Sequence, residues 1–163
     1  MDVEVTAIAP RRVYAMSSGP SPIPADRVAA VVGPLFDRLA DRLTAEGIEP
    51  PLPAVAWYEG MLGEHGEQCR RIWVGFTAPS VTAADAGVSP VILDGAAQAA
   101  VAVHHGDPAA IRDSWTALYR WVEEHGGTPS GYAREVYLKV MPHPRSQWVT
   151  ELQLPFTGAS GRR

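Results

Sequence analysis

A single cysteine, Cys69, stands among 163 residues. It excludes an internal disulfide and any zinc site built on several cysteines. No apolar run approaches the roughly 20 residues that a helix needs to cross a bilayer. The N-terminal stretch has no charged-then-apolar leader, so a cytoplasmic protein is expected. Basic residues are few and dispersed: 14 Lys and Arg against 18 Asp and Glu give a formal net charge of -4, with basic neighbours only at Arg11-Arg12, Arg70-Arg71 and Arg162-Arg163. Such a chain offers no dense surface for phosphates, and strands rather than a second helix follow each helical stretch. Direct nucleic-acid binding is therefore not expected.

Several chemical signatures are missing as well. His65, His104, His105, His125 and His143 fall at turns and element ends without His-x-x-x-His spacing, so no metal site is expected. Ser17-Ser18-Gly19-Pro20 has neither the Gly-x-Ser-x-Gly spacing of a nucleophile elbow nor the lysine of a phosphate-binding loop. Cys69 lies beside Arg70 and Arg71 with no partner base and reads as an inert thiol. No cofactor is expected.

What remains is an ordinary globular composition, 46% hydrophobic and 20% charged, of a length that forms one domain. Its 15 Gly and 15 Pro fall at element boundaries. The order of elements occurs twice. Arg12 to Met16 reads as a strand, Asp26 to Glu46 as a helix stopped at Gly47, and Ala54 to Glu59 and Arg71 to Ala78 as two strands. Ala97 to His104, Pro108 to His125 closed by Gly126 and Gly127, Ala133 to Val140 and Gln147 to Phe156 repeat that order. The expected architecture is α+β: two βαββ units, about 3–79 and 96–156, forming one curved antiparallel sheet with both helices on one face and a ligand pocket on the other. Residues 157–163 are expected to be a disordered tail.

In the first helix Val28, Val31, Val32, Leu35, Leu39 and Leu43 keep helical spacing, with Asp26 as N-cap and Pro34 either starting or kinking the helix. In the second, Ile111, Trp115, Leu118 and Val122 form the buried stripe. Period-two alternation assigns Val136, Leu138 and Val140 to the helix side, and Glu135, Tyr137 and Lys139 to the other. Counting outward from the turn at Pro142-His143-Pro144 sets Glu135 across from Glu151. Like carboxylates side by side on a sheet need a wet face, a shared proton or a visiting cation. Tyr137, Trp73, Trp57 or Tyr58, and Tyr14 join them as aromatic candidates, a combination suited to a flat cationic or amphipathic guest. An exposed polar face with scattered aromatics is the bland alternative.

Ala133-Arg134-Glu135-Val136-Tyr137-Leu138, followed by Thr150-Glu151-Leu152-Gln153-Leu154-Pro155, resembles the closing hairpin of the GyrI-like effector-binding domain. Val103-His104-His105-Gly106, then Trp115, Leu118, Tyr119 and Trp121, then Gly126-Gly127, resembles the strand, turn and helix of its second half. The resemblance spans nearly the whole chain. It implies a pocket with an acid among aromatics: Glu135 or Glu151 as the acid, and Tyr137, Trp57, Trp73 and Tyr14 as the candidate surround. It also implies a standalone member without a DNA-binding domain. Such members bind lipophilic, aromatic or cationic small molecules, inhibit gyrase, or hydrolyse reactive cyclopropane-containing toxins. Binding is the expected function, and hydrolysis by Glu135 or Glu151 the alternative. Oligomeric state cannot be read from the sequence.

Overall fold

Two strands from different halves of the chain lie side by side at the centre of the sheet, and the rest of the architecture is arranged about them. The computed structural model describes residues 1–60, 68–79 and 90–158. The first half runs β1 (Glu4–Ile8), β2 (Arg11–Ser17), β3 (Ile23–Pro24), α1 (Val28–Ala45), β4 (Ala54–Glu59), β5 (Gln68–Cys69) and β6 (Arg71–Thr77). The second runs β7 (Val91–Leu93), β8 (Ala96–His105), α2 (Ile111–Glu124), β9 (Gly127–Pro129), β10 (Ala133–Lys139) and β11 (Val149–Gly158). Their order in the antiparallel, curled half-barrel sheet is β1-β8-β11-β10-β4-β6-β2-β7, with β9 added on β11. Read from either end, that order gives equivalent strands of the two halves. A pseudo-twofold axis therefore passes between β10 and β4, at the central pair Glu135 and Ala56.

The repeated βαββ order is thus present, with one addition at each edge. β1 pairs with β8 and β7 pairs with β2, so each half begins with a strand that borders the other half. Alternation could not announce these strands, because four of the five β1 residues are exposed and β7 has only three residues. The two links, Ala9-Pro10 and Asp94-Gly95, meet closely: a Cβ on Gly95 would stand 2.3 Å from the carbonyl oxygen of Ile8. Strand β11 continues through Thr157 and Gly158, paired with Thr128 and Gly127, two residues beyond the expected end. Residues 159–163 lie outside the described residues.

Helix α1 buries Val28, Leu35, Leu39 and Leu43, and it runs on through Pro34. Asp26 falls in a short 3-10 turn, and Arg27 occupies the N-cap position. Helix α2 buries Trp115, Leu118, Tyr119 and Val122, and the Asp107 side chain accepts from Ala109 N at 2.9 Å just ahead of it. Gly47 (φ +80°) and Gly126 (φ +78°) end the two helices in the left-handed conformation that glycine adopts without steric cost. Both helices cover the same sheet face. Tyr14, Ala56, Tyr58, Ile72 and Val74 pack under α1, and Ala100, Ala102, Leu152 and Leu154 under α2. The opposite face has an apolar core of its own in Val13, Val55, Trp57, Leu93 and Val136.

Candidate functional site

The register of β10 decides where the acids point. Glu135 stands opposite Leu152 and Ala56, whereas Glu151 stands opposite Val136 and Val103. Glu135 and Glu151 are one residue out of the expected register, and one residue is enough to send their side chains to opposite faces. The hairpin is irregular between Tyr137 and Lys139 and its connection contains a 3-10 turn, Arg145–Gln147, so counting outward from the turn failed. The face assignment of β10 is reversed too. Ala133, Glu135 and Tyr137 face the helices, while Leu138 is 54% exposed.

Glu135 is 4% exposed at the seam between the two halves. Its Oε1 accepts hydrogen bonds from the Tyr58 hydroxyl (2.9 Å) and the Tyr137 hydroxyl (2.5 Å), and its Oε2 from the Trp115 indole N–H (2.7 Å). Each donor comes from a different element: β4, β10 and α2. Burial, and then the Glu135 charge, push both tyrosines well above their ordinary pKa, so they remain donors. Among the described residues Glu135 forms no ion pair. Phe36 of α1 meets Tyr137 edge-on at 5.7 Å and Phe76 at 5.6 Å, closing the α1 side with aromatic rings. Thr150, opposite Tyr137, has a buried hydroxyl without a hydrogen-bond partner among the described residues. A groove of about 490 Å³ is lined by Tyr137 together with Leu52, Leu138, Met141 and His143.

The sequence profile of the GyrI-like small molecule binding domain matches residues 1–157. The chain belongs to this family. No curated protein sequence gives a significant match. Among solved structures, the C-terminal domain of EcmrR superposes with a TM-score of 0.71 at 16% identity, over 97% of this chain and 98% of that one. SAV2435 bound to tetraphenylphosphonium superposes with a TM-score of 0.65 at 12% identity, over 97% and 95%. A hydrolase encoded by lin2189 from Listeria innocua superposes with a TM-score of 0.56 at 14% identity, over 96% and 92%. At these identities the likeness is one of fold.

Within this GyrI-like domain the residues singled out in the sequence divide between the two faces. Glu135, Tyr137 and Tyr14 lie on the helix side, Tyr14 opposite Phe76 beneath α1. Trp57, Trp73 and Glu151 lie on the other. Trp57 and Trp73 stack with ring planes 2° apart and centroids at 5.7 Å, and the Trp73 indole donates to Glu59 Oε2 at 2.7 Å. Glu151 accepts from Gln153 at 2.8 Å. The two acids therefore do not form a pair, and the stacked tryptophans do not surround Glu135.

Two members of the site were undervalued in the sequence. Trp115 reads as part of the helix stripe, yet a buried indole N–H needs an acceptor, and that requirement was the available signal. Tyr58 shares its face with Ala54 and Ala56 and is buried with them, so its hydroxyl also needs a partner. Two of the histidines are otherwise engaged: His104 bonds Ser114 Oγ (2.8 Å) and the Asp107 carbonyl (3.0 Å), and His125 bonds the Trp121 carbonyl (2.8 Å). His65 lies outside the described residues. Cys69 is buried, and burial raises its pKa, which suits an unreactive thiol. No helix among the described residues is long and apolar enough to cross a membrane.

Proposed function

We propose that this GyrI-like domain binds lipophilic aromatic cations between its helices and sheet, with Glu135 as their counter-charge, and releases them unchanged. The observation that carries this reading is a carboxylate buried at the seam, held by three uncharged donors and, among the described residues, by no cation. Burying a lone charge costs several kcal/mol, and hydrogen bonds to a charged group return about 1.5–3 kcal/mol each. A cation entering the site adds the missing attraction at low dielectric, while Phe36, Phe76 and Tyr137 offer ring faces and edges to its aromatic groups. Tyr137, which donates to the acid, also lines the neighbouring groove. Tetraphenylphosphonium in the structurally similar SAV2435 is a ligand of this chemistry.

Hydrolysis of a strained electrophile such as a cyclopropane-containing toxin would use the same Glu135. Both of its oxygens already hold donors, which favours recognition of charge over activation of water. In this reading the partner is a small molecule met in the cytoplasm, with no direct contact to nucleic acid.

Titration with tetraphenylphosphonium and with neutral triphenylphosphine oxide tests the proposal, following tryptophan emission and the mass of the recovered ligand. Saturable quenching by the cation alone, with unchanged ligand mass, is expected. Equal quenching by both compounds, or none by either, contradicts the reading.

A further inference from the structure

The sheet face turned away from the helices has a cavity of about 500 Å³. Its floor includes Val55, Val136 and Glu151, and its roof is the link that carries the chain from β1 to β2 through Ala9 and Pro10. This volume lies within the range of small-molecule sites, and nothing in the reading of Glu135 uses it.

Of the three arginines that line it, Arg11, Arg12 and Arg134, the first and the last stand close enough to feel each other's charge. Arg134, on the central strand β10, is 4% exposed. Its Nη1 donates to the Asp94 carbonyl at 2.7 Å and its Nε to the Tyr132 carbonyl at 3.3 Å. Arg11, at the start of β2, donates to Thr77 Oγ1 at 3.2 Å. Both line the cavity, and among the described residues neither forms an ion pair with a carboxylate. Burial first, and then the charge of Arg11, bring the Arg134 pKa down to about 10 against the smaller opposing pull of Asp94, so the two cations feel each other. Of the acids in the lining, Glu151 is engaged by Gln153, and Glu4 lies on the edge strand β1.

Stapling the Asp94-Gly95 link to the sheet explains Nη1 of Arg134. It does not explain why a buried, fixed positive charge is used where a neutral donor would serve, nor why a second guanidinium joins it. Nη2 of Arg134 has no protein acceptor among the described residues. An arginine fork is suited to the paired oxygens of a carboxylate, sulfonate or phosphate. Val55, Val136, Leu93 and Val101 line the same cavity and would receive an apolar body.

We propose that this cavity is a second ligand site, specific for a small amphipathic organic anion, with its charged head between Arg11 and Arg134 and its apolar body on the valine floor. The domain then carries two sites of opposite charge preference, on opposite faces of one sheet.

The test uses 8-anilinonaphthalene-1-sulfonate and N-phenyl-1-naphthylamine, which share their rings and differ by the sulfonate. Fluorescence titration is expected to give one site for the sulfonate, with the neutral amine at least tenfold weaker. Arg11→Gln, at a partly exposed position, should weaken the sulfonate at least tenfold and leave tetraphenylphosphonium binding unchanged. Glu135→Gln should leave sulfonate binding unchanged. Arg134→Gln should lose the sulfonate as well; should that variant fail to fold by circular dichroism, Arg11→Gln carries the test alone. Equal binding of the two probes, parent-like sulfonate affinity in Arg11→Gln, or loss of the sulfonate in Glu135→Gln overturns the proposal.

Discussion

Tyr58 and Tyr137 occupy equivalent places in the two halves, each two residues beyond the central pair Ala56 and Glu135, and both donate to the same oxygen, Oε1 of Glu135. The duplication thus supplies two symmetric donors around one asymmetric acid. Across the axis stands Ala56, so the seam carries a single carboxylate.

Because the two tyrosines share an acceptor, their removal should be non-additive. Tyr58→Phe or Tyr137→Phe alone leaves Oε1 with one donor, and each should cost about 1.5–3 kcal/mol of stability in urea unfolding. The double variant leaves a buried charged oxygen without a hydroxyl donor. It should cost about 1 kcal/mol or more beyond the sum, the coupling expected of residues in one network. A strictly additive pair would mean that the acid does not depend on this sharing.

Trp115→Phe removes the donor to Oε2 while nearly keeping ring volume. A loss of about 1–3 kcal/mol is expected, the cost of stranding a buried acceptor. Thermal or urea unfolding measures it. Trp121→Phe, on a half-buried helix flank stacked on His125, is the control and should change stability by less than about 1 kcal/mol.

Alkaline titration should separate the tyrosines. Tyr58, Tyr137 and Tyr119 are raised above 10 by burial, the first two also by the Glu135 charge. Above pH 10 the unfolded chain releases tyrosine protons that the native protein keeps. The native state then binds more protons, and stability falls as pH rises. Absorbance at the tyrosinate band should show these three ionising only together with unfolding; early, reversible ionisation of all five tyrosines would contradict the buried network.

The crossing of the two links gives a packing prediction. Gly95→Ala sets a methyl 2.3 Å from the Ile8 carbonyl oxygen and should cost at least about 1–3 kcal/mol. The urea midpoint of this variant should fall accordingly.

The repeat, the helices and the inner strands were legible in the sequence because each unit closes with the same signal, a glycine after a helix and a short apolar strand. Edge strands β1 and β7 were not, since exposed and very short strands leave no alternation. The face of Glu135 was misread for a deeper reason. Both faces of this sheet bury apolar side chains, so Val136 looked like the residue beneath a helix while it belongs to the outer core with Val55 and Trp57. The acid took the helix side because its donors are there: Trp115 from α2, and Tyr58 and Tyr137 from the sheet. That fact is tertiary, and local alternation does not contain it.

Calorimetric titration of tetraphenylphosphonium into the parent, Glu135→Gln and Glu151→Gln proteins tests the central claim most directly. Glu135→Gln should lose about 1–3 kcal/mol of binding free energy, the order of a charge-assisted contact, and Glu151→Gln, on the opposite face, should bind as the parent does. Parent-like binding in Glu135→Gln, or a loss confined to Glu151→Gln, would contradict the assignment of Glu135 as the counter-charge.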